Sequence, residues 1–456
     1  MILVSVLLPV MFGVFLTLLL IELPQRKASL LYIVSFGSLI GLCSFGMLYV
    51  FVAMFAPQLH FIRTYVEIGL VALVIYYAYQ NGSFARAFSI LKVKYAIHWV
   101  DVVVCIYFLS IFIFYILDSV HSLPHGEWDA WGMWSAKTRA LVFTGGDAKI
   151  LVDRPYGHPD YPWLLSAINA RFLEVLPSFS QVGFITTMRI LFFSLIGLTM
   201  SSLTILRDRF TGYLAAGFMA SIPILHLQFL IQYSDGFLGV SLLAGVSLFL
   251  LIEKVKLTKS YFLVGIAVGS LLFTKNEGMV LTIGFAVGYL IYSFFYFSRS
   301  DFQKATISIM LALFVFFVVL ISFKIFFVTT NNNIMDSVGT STLAKLIDVA
   351  RYKTILNGIW LLITNYDYWA KFLLLLIMLP FIFGLDDGFK KPTIFILPII
   401  LTVSAGYYMI YVITPKELVW HLYASTDRTF IHVLPILIFL IFLSINRVGK
   451  FFEKAV

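Results

Sequence analysis

The chain has 456 residues, of which 61% are hydrophobic, 17% are aromatic and 12% are charged. A soluble globular protein carries about twice that charged fraction, so the composition excludes a soluble domain. Apolar residues recur in runs of about 20, the length that a helix needs to cross the hydrocarbon core of a membrane. The net charge of +9 is therefore interpreted as a signal of membrane topology and not of nucleic-acid binding.

Taken in chain order, the apolar runs predict an all-α fold, a polytopic transmembrane helical bundle of about 13 spans. The predicted spans are 3–22, 30–56, 63–79, 99–118, 181–205, 210–230, 236–252, 260–274, 278–297, 305–327, 368–385, 392–413 and 430–446. Residues 1–22 lack a basic leader and a small-residue cleavage site, so they are expected to remain as a span. Cys43 and Cys105 lie within predicted spans, which argues against a disulfide framework and a cysteine metal site.

Lysine and arginine residues are concentrated in alternate connections between the predicted spans. These residues are Arg26, Lys27, Arg86, Lys92, Lys94, Arg207, Arg209, Lys254, Lys256, Lys259, Arg299, Lys304, Lys390, Lys391, Arg447, Lys450 and Lys454. The positive-inside rule puts these connections and the carboxyl terminus in the cytoplasm and the amino terminus outside. The outer loops are then 119–180, 328–367 and 414–429, and amphipathic helices are expected to lie along the membrane surface in the larger ones.

The cytoplasmic connections carry no nucleotide-binding signature. The sequence has no GxxxxGKS/T run and no GxGxxG that follows a plausible strand. This argues against the use of ATP and against a nucleotide-sugar donor handled in the cytoplasm.

The first outer loop carries acids and tryptophans in residues 126–147. Glu127 and Asp129 precede a run with helical spacing, and Gly145-Gly146 ends that run. The two carboxylates either present a catalytic base at the membrane surface or are solvated loop acids.

The same loop continues with a segment rich in proline, in which His158, Asp160 and Tyr161 lie. Proline forbids a regular helix here and fixes extended or turn geometry. These side chains either contact substrate or belong to a rigid solvated loop. The residues that follow, from 163 to 176, are predicted to form an apolar helix along the membrane interface.

Two cations fall where a membrane protein seldom places charge. Arg189 lies within a predicted span, and Lys275 lies where a span ends next to acids. Together they suit a phosphate, since arginine offers a bidentate fork and lysine a point charge. The alternatives are ion pairs with Asp235 or Glu277, and extension of the side chains to the membrane surface, which is favoured for Lys324.

A late outer segment, residues 416–428, is dense in side chains that form hydrogen bonds. It contains His421 and the neighbouring pair Asp427 and Arg428, just before the last predicted span. The pair is interpreted either as a local structural bridge or as part of a substrate site.

Several of these segments occur in a recognisable order. Asp129 is followed by the helix that ends at residues 145–147, by HPDYPWL at 158–164, by Arg189-Ile190, by QYSD at 232–235 and by GIAVGSLLFTKNEG at 265–278. In order and spacing they resemble the GT-C superfamily of integral-membrane glycosyltransferases, which includes the enzymes that add aminoarabinose to lipid A and the protein O-mannosyltransferases. The resemblance covers about 99–300, which divides the chain into three extra amino-terminal spans with a basic connection (1–98), a GT-C-like catalytic module (99–300) and carboxyl-terminal spans (301–456).

The resemblance implies transfer of a hexose or pentose from a polyprenyl-phosphate-sugar donor to a glycan, lipid or protein acceptor at the outer face. Asp129 is then the expected general base, with Glu127 as the second candidate, and Arg189 and Lys275 bind the donor phosphate. The remaining candidates for substrate binding are His158, Asp160, Tyr161, Tyr233, Asp235, Glu277, His421, Asp427 and Arg428. No cofactor is expected, because the acids are too few and too scattered to argue for a divalent metal.

The chain departs from the family pattern at two points. The family often has an Asp-Glu pair in its first outer loop, whereas Ala130 follows Asp129 here, so that Glu127 is the nearest second acid. Three spans also precede the one that leads into this loop, where many relatives have none, and these extra spans leave the acceptor open.

The alternative from another class is a secondary transporter or a flippase for lipids or lipid-linked sugars, which also has many spans and charge within the membrane. Transporters commonly contain internal repeats with paired broken helices. No second copy of the pattern at 126–165 occurs, and the polar residues gather at one face instead of the midplane, which favours the enzyme. The expected location is a plasma membrane, and the bias towards Phe, Ile and Leu favours a bacterial one.

Overall fold

The computed structural model describes residues 2–24, 27–93, 97–121, 123–145, 157–175, 181–328, 340–365, 369 and 371–449. The protein is 85% helical, and the described part of the chain contains no β-strand. This agrees with the all-α fold that the apolar runs predict.

The described residues contain nineteen α-helices. The first nine are α1 (Ile2–Leu20), α2 (Lys27–Phe55), α3 (Arg63–Gln80), α4 (Ser83–Leu91), α5 (Trp99–His121), α6 (Ser135–Phe143), α7 (Leu164–Leu173), α8 (Val182–Leu206) and α9 (Arg209–Ala220). The others are α10 (Pro223–Leu230), α11 (Ser234–Val255), α12 (Tyr261–Leu272), α13 (Glu277–Tyr296), α14 (Arg299–Phe326), α15 (Thr340–Ile347), α16 (Val349–Thr364), α17 (Lys371–Phe383), α18 (Lys390–Ile413) and α19 (Leu418–Ser444).

Nine helices within the described residues are long and apolar enough to cross a membrane, which fits a multi-pass membrane protein. They are Ala28–Phe55, Pro57–Gln80, Trp99–Leu117, Val182–Leu206, Ser234–Val255, Glu277–Tyr296, Arg299–Phe326, Lys390–Ile413 and Leu418–Ser444. The predicted count of about 13 is not confirmed, since the predicted spans 3–22, 260–274 and 368–385 correspond to shorter apolar helices.

The predicted span 210–230 is a pair of helices, α9 and α10, bent by 64°. Pro223 begins α10, and the preceding Ile222 is extended, as a residue before proline prefers. The break therefore follows from local chemistry. The membrane-spanning count becomes ten if this bent pair is one span.

Helix α11 lies at the centre of the bundle. Its apolar stretch is entirely buried, and the helix packs against α8, α12 and α19. In helix α5, by contrast, only 6% of the apolar stretch is buried. This helix contacts α8 and α9 along one side, so that most of its apolar surface faces outwards. The amino-terminal helices join the same core, because α2 packs against α7 and α8.

The last long helix begins earlier than the sequence analysis predicts. The outer segment 414–429 is expected to be a loop, but α19 already begins at Leu418. The Glu417 carboxylate accepts hydrogen bonds from the amides of Val419 and Trp420, which caps this end of the helix. The polar residues of this segment therefore lie on a helix that continues into the last span.

The connections that carry the candidate residues meet at one end of the bundle, here called the site end. The backbone amide of Glu127 donates to the carbonyl of Ile231, and that of Leu164 donates to the carbonyl of Phe273. The opposite end, here called the basic end, holds Arg207, whose guanidinium lies 3.1 Å from the Asp386 carboxylate. The site end thus collects segments that are far apart in the sequence.

Candidate functional site

Asp235 is the most enclosed charged group of the site end. It lies in the first turn of α11, and none of its side chain is exposed. Its Oδ1 atom is 2.9 Å from Nζ of Lys275 and 2.8 Å from Nε2 of His432. Its Oδ2 atom accepts from Nε and Nη2 of Arg428 at 3.1 and 2.9 Å. A buried carboxylate needs such partners, because burial without them costs several kcal/mol, of order 3–5 for one that has lost its partner.

Lys275 reaches Asp235 from the tight turn between α12 and α13. A side chain at Gly278 would place its Cβ atom 1.8 Å from the carbonyl oxygen of Leu271, so that only glycine permits this close turn. The Lys275 ammonium also lies 3.1 Å from Oε1 of Glu277. Burial opposes its charge, but the carboxylates of Asp235 and Glu277 outweigh burial and raise the pKa of Lys275. The lysine therefore remains a cation at neutral pH.

Arg428 connects Asp235 with the first large loop. Its Nη2 atom lies 2.7 Å from Oδ2 of Asp129 as well as 2.9 Å from Oδ2 of Asp235. The guanidinium stacks over the Tyr233 ring, 4.6 Å from the ring centre. One arginine on α19 thus holds two carboxylates from two other segments.

Asp129 lies at the start of the helix that the tryptophan spacing predicts. A π-helical turn, Ala130–Trp134, leads directly into α6, and α6 ends at Phe143, next to Gly145 as predicted. The chain enters this helix through Gly126, whose φ of +68° favours glycine. The Asp129 side chain is 25% exposed, which leaves it accessible, unlike that of Asp235.

Glu127 occupies a different position from Asp129. It is exposed, and its backbone amide ties the loop to the carbonyl of Ile231. The Arg428 guanidinium pairs with Asp129 and not with Glu127 in the described structure. Of the two acids, Asp129 is the one that belongs to the charged cluster.

Asp129, Asp235, Lys275 and Arg428 form the first cluster, and His432 and Tyr407 complete it. The sequence analysis did not include either of the last two residues in the site. The His432 ring is fully buried, with Nε2 on Asp235 and Nδ1 2.6 Å from the Tyr407 hydroxyl. An ionisable residue within an apolar span normally has such a partner, and this was the signal available for His432. Tyr407 carried no comparable signal, because tyrosines are frequent in this chain.

A second polar cluster surrounds Asp160. Its Oδ2 atom accepts from the amide of Asn276 at 2.5 Å, and its backbone carbonyl accepts from Nζ of Lys324 at 2.7 Å. Lys324 also donates to Oδ1 of Asn276 at 2.8 Å. The Lys324 ammonium thus binds both the turn that carries Asp160 and the connection between α12 and α13 that carries Asn276.

Lys137 supports the turn on which His158 and Tyr161 lie. Its buried amine donates to the carbonyl of His158 at 2.5 Å and to that of Tyr161 at 3.4 Å. Burial lowers the pKa of Lys137 to about 7, and the charge of Asp160 only partly offsets this effect. The rings of His158 and Tyr161 stack with centres 4.5 Å apart, and His158 has a positive φ of 53°.

The two clusters are joined through Glu277. The Tyr161 hydroxyl donates to Oε1 of Glu277 at 3.4 Å, and the same oxygen pairs with Lys275. Burial, followed by the charge of Glu277, raises the pKa of Tyr161 well above its usual range, so that the hydroxyl remains a hydrogen-bond donor. Within the described residues, Oε2 of Glu277 is buried without a hydrogen-bond partner.

Three predicted residues lie apart from Lys275. Arg189 donates from Nη2 to the carbonyl of Ile116 on α5 at 2.8 Å, and so has a different environment from the lysine with which it was predicted to act. His421 packs edge-on against Tyr411, with ring centres 5.2 Å apart. The Asp427 carboxylate accepts from the backbone amide of Arg428 at 2.8 Å, which is a local contact.

Among the residues that the structure describes, no group of three or more histidines, cysteines and acids could hold a metal ion. No known protein family, curated protein or solved structure matches the chain.

The geometry of the site combines a partly exposed carboxylate with two cations that share a buried acid. Asp129 is able to accept a proton from a hydroxyl that approaches from the exposed side. Arg428 and Lys275 offer a guanidinium and an ammonium, the donor types that bind phosphate oxygens. A partly exposed carboxylate and two cations are thus neighbours at the site end.

Proposed function

We propose that this chain is a membrane glycosyltransferase of the GT-C type. It transfers a hexose or pentose from a polyprenyl-phosphate-sugar to a glycan, lipid or protein acceptor. The reaction takes place at the outer face of a plasma membrane, and the amino-acid composition of the chain favours a bacterial one. The amino terminus lies outside and the carboxyl terminus lies in the cytoplasm. The site end of the bundle is the outer face in this proposal.

One observation carries the proposal, the ion pair between Asp129 and Arg428 beside buried Asp235. The pair holds the Asp129 carboxylate in place and leaves a quarter of its side chain accessible. A general base must come within hydrogen-bond reach, roughly 3 Å, of the acceptor hydroxyl. The exposed side of Asp129 leaves room for a hydroxyl to approach to that distance.

Arg428 and Lys275 are suited to the leaving phosphate. Arg428 is 19% exposed and bonds both Asp129 and Asp235, so it lies between the base and the enclosed part of the site. When a phosphate oxygen takes the Nη2 atom that now holds Asp129, the carboxylate is released towards the acceptor. This exchange couples donor binding to activation of the base. Arg189 remains a candidate for the lipid phosphate at the edge of α5.

The candidate residues for substrate binding divide by cluster. Tyr233, Glu277 and Tyr161 surround Lys275 and Arg428, so they suit the sugar and the phosphate. His158 and Asp160 lie on the turn of the second cluster that Lys137 supports, where they suit the acceptor. His421 and Asp427 lie on α19 and also suit the acceptor. No cofactor takes part in the proposed reaction.

A lipid donor agrees with the surroundings of the site. The charged cluster lies at the ends of apolar helices, and the sequence has no nucleotide-binding motif. The direct test is incubation of the purified full-length protein with polyprenyl-phosphate-sugars. Release of polyprenyl phosphate that requires the protein supports the proposal. No release from any polyprenyl-phosphate-sugar, in the presence of membrane extract as acceptor source, contradicts it.

A transporter or flippase is the second candidate, and two observations favour it. Helices α9 and α10 are bent by 64°, as discontinuous helices of transporters are, and His432 pairs with Asp235 within the bundle. Movement of a fluorescent lipid-linked sugar across proteoliposomes without cleavage of the phosphate–sugar bond favours this candidate. Cleavage of that bond favours the transferase.

A further inference from the structure

A second set of buried charges lies away from the clusters around Asp235 and Asp160. It contains Arg63 and Glu67 on α3, Arg171 on α7 and Glu174 just after α7, together with His60. The side chains of Arg63, Glu67 and Arg171 are at most 4% exposed. This set, here called the arginine cluster, links the amino-terminal helices with the first large loop.

The carboxylate oxygens of the arginine cluster are all occupied by donors. Arg171 donates through Nε to Oε1 of Glu67 at 2.7 Å and through Nη2 to Oε2. Arg63 donates through Nη2 to Oε2 of Glu174 at 2.5 Å, and its Nε lies 3.3 Å from Oε1 of Glu67. Oε1 of Glu174 is taken by the Tyr49 hydroxyl at 2.7 Å and by His60 at 2.6 Å. Every carboxylate oxygen therefore has a partner.

The donors of the same cluster are in surplus. Nη1 of Arg63 and Nη1 of Arg171 are both buried, and neither has a hydrogen-bond partner within the described residues. A guanidinium cannot lose its proton, so these N–H groups cannot be removed by titration. A buried charged donor without a partner is costly. The group that would satisfy both arginines is an acceptor, and an anion suits them best.

A cavity of about 260 Å³ is lined by both of these arginine residues. Its polar lining includes Arg63, Arg171, His60 and Thr64, and its apolar lining includes Phe61. Glu67 and Glu174 also line it, with oxygens that already accept from the two arginines. The volume is several times the roughly 30 Å³ that one water occupies in the liquid, so it has room for a phosphate with a small polar substituent. The cavity therefore combines hydrogen-bond donors in its lining with space for a ligand.

The surroundings of the cavity indicate the source of the anion. Phe61 and Tyr65 are each 74% exposed, and Ile68, one turn further along α3, is 45% exposed. This apolar strip begins at the cavity and continues along a helix that is 22% buried. An acyl chain is the natural cover of such a strip in a membrane, whereas a soluble anion would leave it bare.

We propose that the cavity binds the phosphodiester headgroup of an anionic phospholipid, whose acyl chains lie along the exposed strip of α3. The two guanidinium groups donate to phosphate oxygens through charge-assisted hydrogen bonds. The bound lipid links α3 to α7 and so steadies the first large loop. The site is separate from the proposed transferase site and does not depend on that function.

The test measures lipid binding by native mass spectrometry of the full-length protein in a neutral detergent. Phosphatidylglycerol, phosphatidylcholine and glycerol phosphate are titrated separately. Both headgroups carry the phosphate, but the choline cation of phosphatidylcholine is repelled by the two arginines. We therefore expect one phosphatidylglycerol to bind about tenfold more tightly than phosphatidylcholine. Equal affinity for the two lipids would overturn the proposal. Glycerol phosphate that binds as tightly as phosphatidylglycerol would overturn the lipid source.

Two variants separate binding from folding. Glu67→Gln keeps both arginines and removes a competing carboxylate, so phosphatidylglycerol should bind several-fold more tightly. Glu67→Gln combined with Arg171→Gln removes one donor without a change in net charge, and binding should weaken about tenfold. Unchanged affinity in Glu67→Gln contradicts the proposal even when the double variant fails to fold.

The matched control removes an acid and a cation at the basic end. Glu253→Gln combined with Lys256→Gln removes an ion pair whose charged atoms lie 3.5 Å apart. As in the first double variant, one acid and one cation are each replaced by glutamine. The affinity for one tightly bound phosphatidylglycerol should stay within about twofold of wild type, a change well below one charge-assisted contact. An equal loss in both double variants would show that the binding is not local to the arginine cluster, and would overturn the proposal.

Discussion

Asp129 and Arg428 form an ion pair with 2.7 Å between Oδ2 and Nη2, although one lies in the first large loop and the other on the last long helix. The contact fixes the start of the tryptophan-rich helix against the core of the bundle. It also brings a guanidinium onto the carboxylate that we propose as the base. The pair is thus both a structural tie and the centre of the proposed reaction.

The first prediction concerns Asp129 as the general base. Asp129→Asn should lower the turnover number by about 10²–10⁴-fold, the usual contribution of a general base. Asparagine keeps the shape and still accepts a hydrogen bond from Arg428, so folding and donor binding should persist. The measurement is the rate of polyprenyl phosphate release together with the donor affinity.

Glu127→Gln is the matched control, because it makes the same chemical change two residues away on an exposed side chain. We expect a clearly smaller loss of turnover. Near-normal turnover in Asp129→Asn with an inactive Glu127→Gln would mean that the two acids have exchanged roles. Normal turnover in both would remove the base from this loop.

The second prediction concerns the cations that bind the donor phosphate. Lys275→Gln and Arg428→Gln should each raise the KM for the donor by about 10- to 100-fold, since a charge-assisted contact contributes roughly 1.5–3 kcal/mol. Arg189→Gln should raise it less, because Arg189 binds the Ile116 carbonyl at 2.8 Å and not the carboxylates of the first cluster.

Initial rates at varied donor concentration decide between these cations. A larger rise of KM in Arg189→Gln than in Lys275→Gln would return the phosphate to the edge of α5. Unchanged KM in all three variants, with folded protein, would mean that none of them binds the donor phosphate.

The helical bundle was predictable because the signal is local. Apolar runs of spanning length need no knowledge of distant residues, and the tryptophan-rich helix ends at Phe143, just before Gly145, as expected. The start of α19 was not predictable in the same way. His421, Asp427 and Arg428 were interpreted as a polar loop, whereas they extend an apolar helix that Glu417 caps.

The site was predictable residue by residue but not as an arrangement. Asp129, Asp235, Lys275 and Arg428 were each recognised as charge near the membrane. Their mutual contacts depend on which helix ends meet, and no local pattern encodes that. Lys137 was missed for a related reason, since a lysine on a short helix is usually exposed, while this one is buried under the turn at 158–161.

The third prediction is that Asp235 is needed for stability. Asp235→Asn leaves Lys275 and Arg428 without their shared buried carboxylate, and loss of one partner of a buried pair costs roughly 3–5 kcal/mol. The thermal unfolding midpoint in detergent should fall clearly. Asp301→Asn, at an exposed position in the first turn of α14, should change stability by at most about 0.5 kcal/mol. Equal midpoints for the two variants would contradict the structural role of Asp235.

The fourth prediction concerns orientation in the membrane. In a Cys105→Ser background, Tyr423→Cys should react with an impermeant thiol reagent in intact cells, whereas Ser300→Cys should react only after permeabilisation. Both positions are exposed, and Tyr423 lies near the site end while Ser300 lies near the basic end. Reaction of Ser300→Cys in intact cells would reverse the assignment of the outer face.

The last prediction is a pH dependence that belongs to Lys137. Burial lowers the pKa of Lys137 from its ordinary 10.5 to about 7 in the folded protein. Between these values the unfolded chain binds more protons at this position than the folded chain does, so this group makes stability rise with pH. The cost of the buried charge is fully present below about pH 7 and disappears as the pH approaches 10.5.

The measurement compares unfolding midpoints of wild type and Lys137→Met between pH 7 and pH 9.5. Other groups titrate in this range, so the difference between the two proteins isolates the lysine. Wild type should gain stability relative to Lys137→Met as pH rises, because methionine carries no charge to bury. Lys390→Met, at an exposed position near the basic end, should give the same slope as wild type. Parallel curves for wild type and Lys137→Met would mean that the Lys137 ammonium stays charged beneath the turn that carries His158 and Tyr161.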